Sequence, residues 1–364
     1  MSTSLTSRAL PASPTLFTPA PPVLNQLDVL GRVPVPLRRA FAAGMDHAAS
    51  AYRTATQRGL RRHLLTGAEW YRPFDGLARV SDPGALPGML ITTLQQDVLL
   101  PQLLASYAPR GPRFLIDEPP EQPPSLQSAG VIDPHGVFRV FAIVPFVWLV
   151  DDKRLQGRPR PRVWSDLLDA CWRDELVFGG FRPNDASPYT EYNGFLLDCI
   201  QHEFGAAGLS ALARNVRHLQ HNVRTATLAG SNSPKASAIA ILPFMQAAMC
   251  PRRERTQVVW PEDGALVMPI AYLVRPDAER RLQPVIDYLT GPALAQVFGR
   301  NGYPAVGPGL VHAPLPAAAR FKWPGWTFFR ARDYPTKSRL AAETFFNAWH
   351  AAHTDPAAGS GRCG

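Results

Sequence analysis

A chain of 364 residues, 46% hydrophobic and 18% charged, is long enough to bury the cores of two domains and too apolar to belong with disordered chains. The 38 Lys and Arg against 29 Asp and Glu leave a net charge of +9; this suits acidic partners, although a solvated Arg-rich face is the plainer explanation. No apolar run reaches the roughly 18 residues of a membrane span, and Cys171, Cys199, Cys250 and Cys363 lack CxxC spacing, which favours free thiols over a disulfide frame.

Residues 1–24 carry prolines at 11, 14, 19, 21 and 22 and read as a disordered lead-in. They lack the apolar core of an export leader. As written, the chain therefore points to the cytoplasm, and to the periplasm if a leader precedes it. Up to residue 62, eight arginines face only Asp28 and Asp46, so the basic excess is concentrated early. A helix is expected from Pro36, with Leu37, Phe41, Met45, Ala48 and Tyr52 on one face and Gly59 beyond its end. Met89, Leu90, Ile91, Thr92 and Thr93 form a buried-strand pattern. Thr92 and Thr93 close it, at the edge that would face a cleft, before a helix over 97–107.

Residues 133–180 organise the middle of the chain. Two runs, 137–150 and 175–178, are rich in β-branched and aromatic residues and predict strands. A basic Pro-studded turn and a short helix opened by Trp164, Ser165 and Asp166 separate them. The pattern reads as a βαβ unit that ends at Gly179 and Gly180, where an α/β sheet usually receives a ligand. Ser187 and Pro188 then suit an N-cap and a first helical residue. The helix they open would aim unpaired N–H groups at the cleft, making Ser187, Tyr189 and Thr190 candidate ligand contacts. A second helix is expected over 209–219. The small polar turn Ser231, Asn232 and Ser233 offers further donors ahead of a strand at 238–242 and a helix at 243–249. Residues 254–274 give two strands around the turn at 261–264, and further helices are expected at 277–290, 291–298 and 338–350.

Other constellations are weak. His218 with His221 and His350 with His353 are i,i+3 pairs without third and fourth ligands, so they read as solvated helix histidines and no metal is assigned. There is no GxSxG, P-loop or GxGxxG, and therefore neither a cofactor nor an enzymatic activity is expected. Arg252, Arg253 and Arg255 could meet phosphate, but no nucleic-acid recognition motif accompanies them.

The run Pro145, Phe146, Val147, Trp148, Leu149, Val150, Asp151, then Lys153 and Leu155, then Pro161, Trp164, Asp166, Leu167, Leu168 and Asp169, resembles the type II solute-binding proteins of ABC transporters. The nearest branch is the one that includes ferric-iron and thiamine binders, and the resemblance extends over residues 86–306. It implies a two-lobed α/β fold with hinge crossings, lobe 1 from 25–132 plus 256–364 and lobe 2 from 133–255. It also implies closure of a monomer on a small polar, anionic ligand held by Thr92, Thr93, Ser187, Tyr189, Thr190, Ser231, Asn232 and Ser233. A membrane permease and its ATPase would be the partners. The alternative on the same fold is a cytoplasmic ligand sensor. Ferric ion is the lesser reading, because the sequence has no Tyr-Tyr pair.

Overall fold

The computed structural model of the chain describes residues 24–65, 74, 76–109, 124–179, 193–307 and 315–354. The strands are β1 (Val29–Gly31), β2 (Arg62–Leu64), β3 (Met89–Thr93), β4 (Arg139–Asp151), β5 (Leu176–Gly179), β6 (Val216–Gln220), β7 (Ile239–Pro243), β8 (Thr256–Val259), β9 (Ala265–Val274) and β10 (Phe321–Lys322). The helices are α1 (Arg38–Thr56), α2 (Pro101–Tyr107), α3 (Pro124–Ala129), α4 (Asp152–Leu155), α5 (Asn193–Asn215), α6 (Asn222–Leu228), α7 (Phe244–Ala248), α8 (Gln283–Thr290), α9 (Pro292–Arg300), α10 (Trp326–Phe329) and α11 (Tyr334–Thr354). Among the described residues no helix is long and apolar enough to cross a membrane.

The strands join in one sheet, ordered β2-β1-β3-β9-β4-β7-β5-β6, with β10 beside β9 and β8 beside β4. β1, β2 and β3 are parallel to one another, as are β5, β6 and β7. Between the two sets, β9 is antiparallel to both β3 and β4, and β4 is antiparallel to β7. The two parallel sets therefore run in opposite senses, carboxyl ends toward each other. Thr93 pairs with Ile270, which pairs with Ala142, whereas Pro243 pairs with Phe146. The gap between the two sets lies at residues 143–145 of β4 and 267–269 of β9, and only these two long strands cross it among the central strands. Leu94 N donates to Pro269 O, and Ile143 N to Pro304 O, at this level.

Local sequence accounts for most elements. β4 is buried from Phe141 onward because every residue on both faces meets another layer, which is why the run is continuous rather than alternating. Trp148 and Trp164 meet edge to face, centroids 5.5 Å apart, and Trp164 Nε1 donates to Gly264 O. The short helix expected at Trp164 is a five-residue 3-10 turn. In α1, Phe41, Met45, Ala48 and Tyr52 are buried at helical spacing, and Gln57 ends the helix in the left-handed region. β3 occupies the expected residues, with all five side chains buried.

Three expectations are corrected. β4 and β5 do not form a parallel βαβ unit: they are antiparallel and β7 lies between them. The connection has only the four-residue α4 and short 3-10 turns, with no helix to cover a parallel crossover. Residues 216–219 are strand rather than helix, because α5 ends at Asn215, whose amide donates to Leu167 O and Asp169 O, and Val216 enters the sheet beside Leu176. His218 accordingly sits on β6 and His221 caps α6, so they share no helix face. α11 packs along α5, with Phe345 against Phe178 and Trp349 Nε1 donating to Val216 O.

Candidate functional site

The cleft-facing edge of the β1–β3 set is built around Arg32, the residue after β1. Its side chain is fully buried. Nε donates to Thr92 Oγ1 at 2.7 Å, and the two terminal nitrogens reach Asp97 Oδ2 and Oδ1 at 2.7 and 2.6 Å. The guanidinium carbon lies 3.9 Å from the centre of the Phe74 ring. Such a planar fork suits both the bidentate carboxylate and the aromatic face. Thr92 Oγ1 donates to Thr93 O, and Gln95 Nε2 donates to Thr93 Oγ1. Thr92 and Thr93 thus stand at the expected edge, but both are completely buried and bonded within it. Arg32, Gln95 and Asp97 were missed because their role depends on β1, a three-residue strand with no sequence pattern of its own.

The facing edge, at the carboxyl ends of β5, β6 and β7, is built differently. Gly179 ends β5, and a Cβ there would fall 1.7 Å from Asn222 Oδ1. Only glycine lets the Asn222 carboxamide settle over the strand end. Asn222 opens α6 and Gln246 lies in α7, each following a strand of the parallel set. Both are about nineteen-twentieths buried, and Asn222 Oδ1 and Gln246 Oε1 have no hydrogen-bond partner among the described residues. A buried amide oxygen left bare is unfavourable by roughly 1–3 kcal/mol, so two of them at one sheet edge mark a place where a donor is wanted. Neither was singled out from sequence. The available signal was position: each is a polar residue just past a strand of the set whose carboxyl ends face the gap.

Ser231, Asn232 and Ser233 lie elsewhere. They precede β7, and Ser231 O and Ser233 O accept from Arg154, which follows the far end of β4. The length of β7 separates them from Pro243, about 13 Å at ~3.3 Å per residue. They belong to the edge away from the gap and are not brought together with Thr92 and Thr93. Ser187, Tyr189 and Thr190 lie outside the described residues.

The early arginines divide by role. Arg32 is absorbed as above, and Arg62 pairs with Asp46. Arg58 and Arg61 join Arg281, Asp28, Tyr52 and Gly59 around a cavity of about 520 Å³. It opens at the amino ends of β1 and β2, opposite the gap. Among the described residues no group of three or more His, Cys, Asp or Glu could hold a metal ion. Among the described residues Cys171, Cys199 and Cys250 form no disulfide; burial pushes the Cys199 thiol well up, out of the reactive range.

A family model described as bacterial extracellular solute-binding protein matches residues 106–332. No curated protein sequence matches the chain. Among solved structures, the chain is similar to the apo ferric ion-binding protein A of Pasteurella haemolytica (TM-score 0.61, 13% identity, 87% of this chain and 97% of that one). It is likewise similar to Trichodesmium IdiA (FutA) in complex with iron and citrate (0.59, 13%, 88% and 98%). The third is the periplasmic binding protein AfuA of Actinobacillus pleuropneumoniae with fructose-6-phosphate bound (0.57, 11%, 90% and 98%). At these identities the likeness establishes the two-lobed α/β fold.

Proposed function

We propose, from the premise that the chain belongs to the bacterial extracellular solute-binding protein family, that its two lobes close on a small polar anion that also carries hydroxyl groups. The observation that carries this reading is the pair of bare, buried carboxamide oxygens of Asn222 and Gln246 at the carboxyl edge facing Thr92 and Thr93. Hydroxyl groups of a solute would supply the missing donors. Citrate and fructose-6-phosphate, present in two structures of similar fold, both combine hydroxyls with negative charge. Arg32 does not supply the anion contact, since Asp97 already neutralises it. We assign that contact to the candidate residues Ser187, Tyr189 and Thr190.

The hinge lies where β4 and β9 cross the gap, at residues 143–145 and 267–269. Lobe 1 carries β1–β3 with α1, α8 and α9. Lobe 2 carries β5–β7 with α5, and α11 joins it through its packing on α5. A ligand that touches both lobes only when they are closed shifts the population toward closure. The closed monomer is delivered to an ABC permease and its ATPase outside the cytoplasm.

Thermal-shift and calorimetric titrations with citrate, ferric citrate and fructose 6-phosphate test the binding reading. A solute at 1,000 times its Kd should stabilise the protein by about 4 kcal/mol. No shift with any of the three, nor with other hydroxylated anions, would remove it. Fractionation of the source cells tests the compartment, and release with the cytoplasmic contents would overturn that part.

A further inference from the structure

Four aspartates are buried among the described residues: Asp28, Asp133, Asp151 and Asp198. Arg281 pairs with Asp28, Arg330 with Asp133 and Arg154 with Asp151. Asp198 has no cationic partner among the described residues. Its Oδ2 accepts from Tyr334 Oη at 2.7 Å and from Ser338 Oγ at 2.9 Å, while its Oδ1 is buried without a partner among the described residues. Ser338 Oγ is also bonded by Gln96 Nε2. Gln96 follows β3, whereas Asp198 lies on α5, the connection from β5 to β6. The chain Gln96–Ser338–Asp198 therefore joins the two parallel sets, with α11 supplying its middle member.

Among the described residues the neighbouring charges are spoken for. On α5, Cys199 is a buried thiol, His202 lies tilted against Phe328 and Glu203 pairs with Lys322. Lys322 also holds Asp263, Arg32 holds Asp97, and Lys337 holds Asp333. Burial raises the Asp198 carboxyl to about 7, and the hydrogen bonds from Ser338 and Tyr334 only partly oppose this.

We propose that Asp198 and Ser338 form a proton-linked latch between the lobes: protonation of Asp198 favours the latched arrangement, and ionisation favours release of Ser338 from Gln96. When Asp198 is ionised in the latched form, a charge is held away from water with one oxygen bare, an arrangement that opening relieves. When Asp198 is protonated, the acid proton is donated to Ser338 Oγ. The serine hydroxyl turns to donate to Gln96, whose carboxamide rotates to present its oxygen. The chain reverses polarity and all of its members remain paired. The latched form thus binds the proton more tightly than the open form, and acid favours latching by linkage.

Small-angle scattering of the ligand-free full chain from pH 5.5 to 8.5 tests the latch without knowledge of the solute. The radius of gyration should rise with pH, with a midpoint at about 7. Asp198→Asn should hold the smaller value throughout. Ser338→Ala should give the larger value at every pH. A merely structural role for Ser338 would leave its scattering profile like that of the wild type. A wild-type radius constant over this range overturns the proposal, as does a pH-dependent radius that persists in Asp198→Asn. If that variant does not fold, Gln96→Ala, which should behave as Ser338→Ala does, decides the matter.

Discussion

The two edges that face each other across the gap are built on opposite principles. Around Arg32 the polar groups pair with one another: guanidinium with carboxylate, threonine with guanidinium, glutamine with threonine. Across from it, Asn222 and Gln246 are buried with their carboxamide oxygens empty. The first edge is complete without a ligand and acts as a rigid wall. The second is held in an incomplete state by the packing beneath it, and that residual demand is what a solute can use.

Mutations should separate the two. Arg32→Ala strands Asp97 and Thr92 in a buried site, and the loss expected for breaking such a pair is about 3–5 kcal/mol in denaturant unfolding. A loss below about 1 kcal/mol would show that the wall is not held by this pair. Gly179→Ala forces a methyl group into the space of the Asn222 carboxamide and should reduce stability by roughly 1–3 kcal/mol. The Asn222→Gly change should recover much of that loss in a double-mutant cycle. Independent, additive effects would mean that the contact is not the source of the penalty.

Asn222→Ala alone should change stability by less than about 1 kcal/mol, because it removes a bare polar atom together with its packing. Its effect should appear in binding instead, as a tenfold or greater loss of affinity for the hydroxylated anion identified by titration, each tenfold being about 1.4 kcal/mol. Ser231→Ala with Ser233→Ala should do least, within about 0.5 kcal/mol in stability and with no change in affinity. A marked loss of binding in that pair would return the site to the far edge of β7.

The pH dependence of stability adds a check from inside the fold. Asp198 titrates near 7 when folded, against 3.8 as its ordinary value. The folded chain therefore holds a proton that the unfolded chain has lost between these values. Stability from this group is fully present below about pH 4 and declines as pH rises through about 7, by at most ~1.4 kcal/mol per pH unit. In Asp198→Asn this slope should vanish from melting curves recorded between pH 5 and 8.

Much of this was legible along the chain. The α1 face, β3 and β4 announced themselves through periodicity and β-branched content, because each buries side chains at a spacing set by its own geometry. The resemblance carried by residues 145–169 led to the correct family and the two-lobed fold. The short strands β1, β2 and β6 did not announce themselves. They are three to five residues long, and neighbouring strands, rather than composition, hold them in the sheet.

What the sequence by itself determined is the set of segments able to form a buried α/β core, with two long apolar strands able to cross between lobes. What only the tertiary structure decided is direction and neighbourhood. β7 inserts between β4 and β5, so that Asn222 and Gln246 face the gap while Ser231, Asn232 and Ser233 face away. The physical reason is that a strand's pattern records which faces are buried but not which partner it meets or in which sense it runs. Pairing is settled by backbone hydrogen bonds that every sequence offers alike.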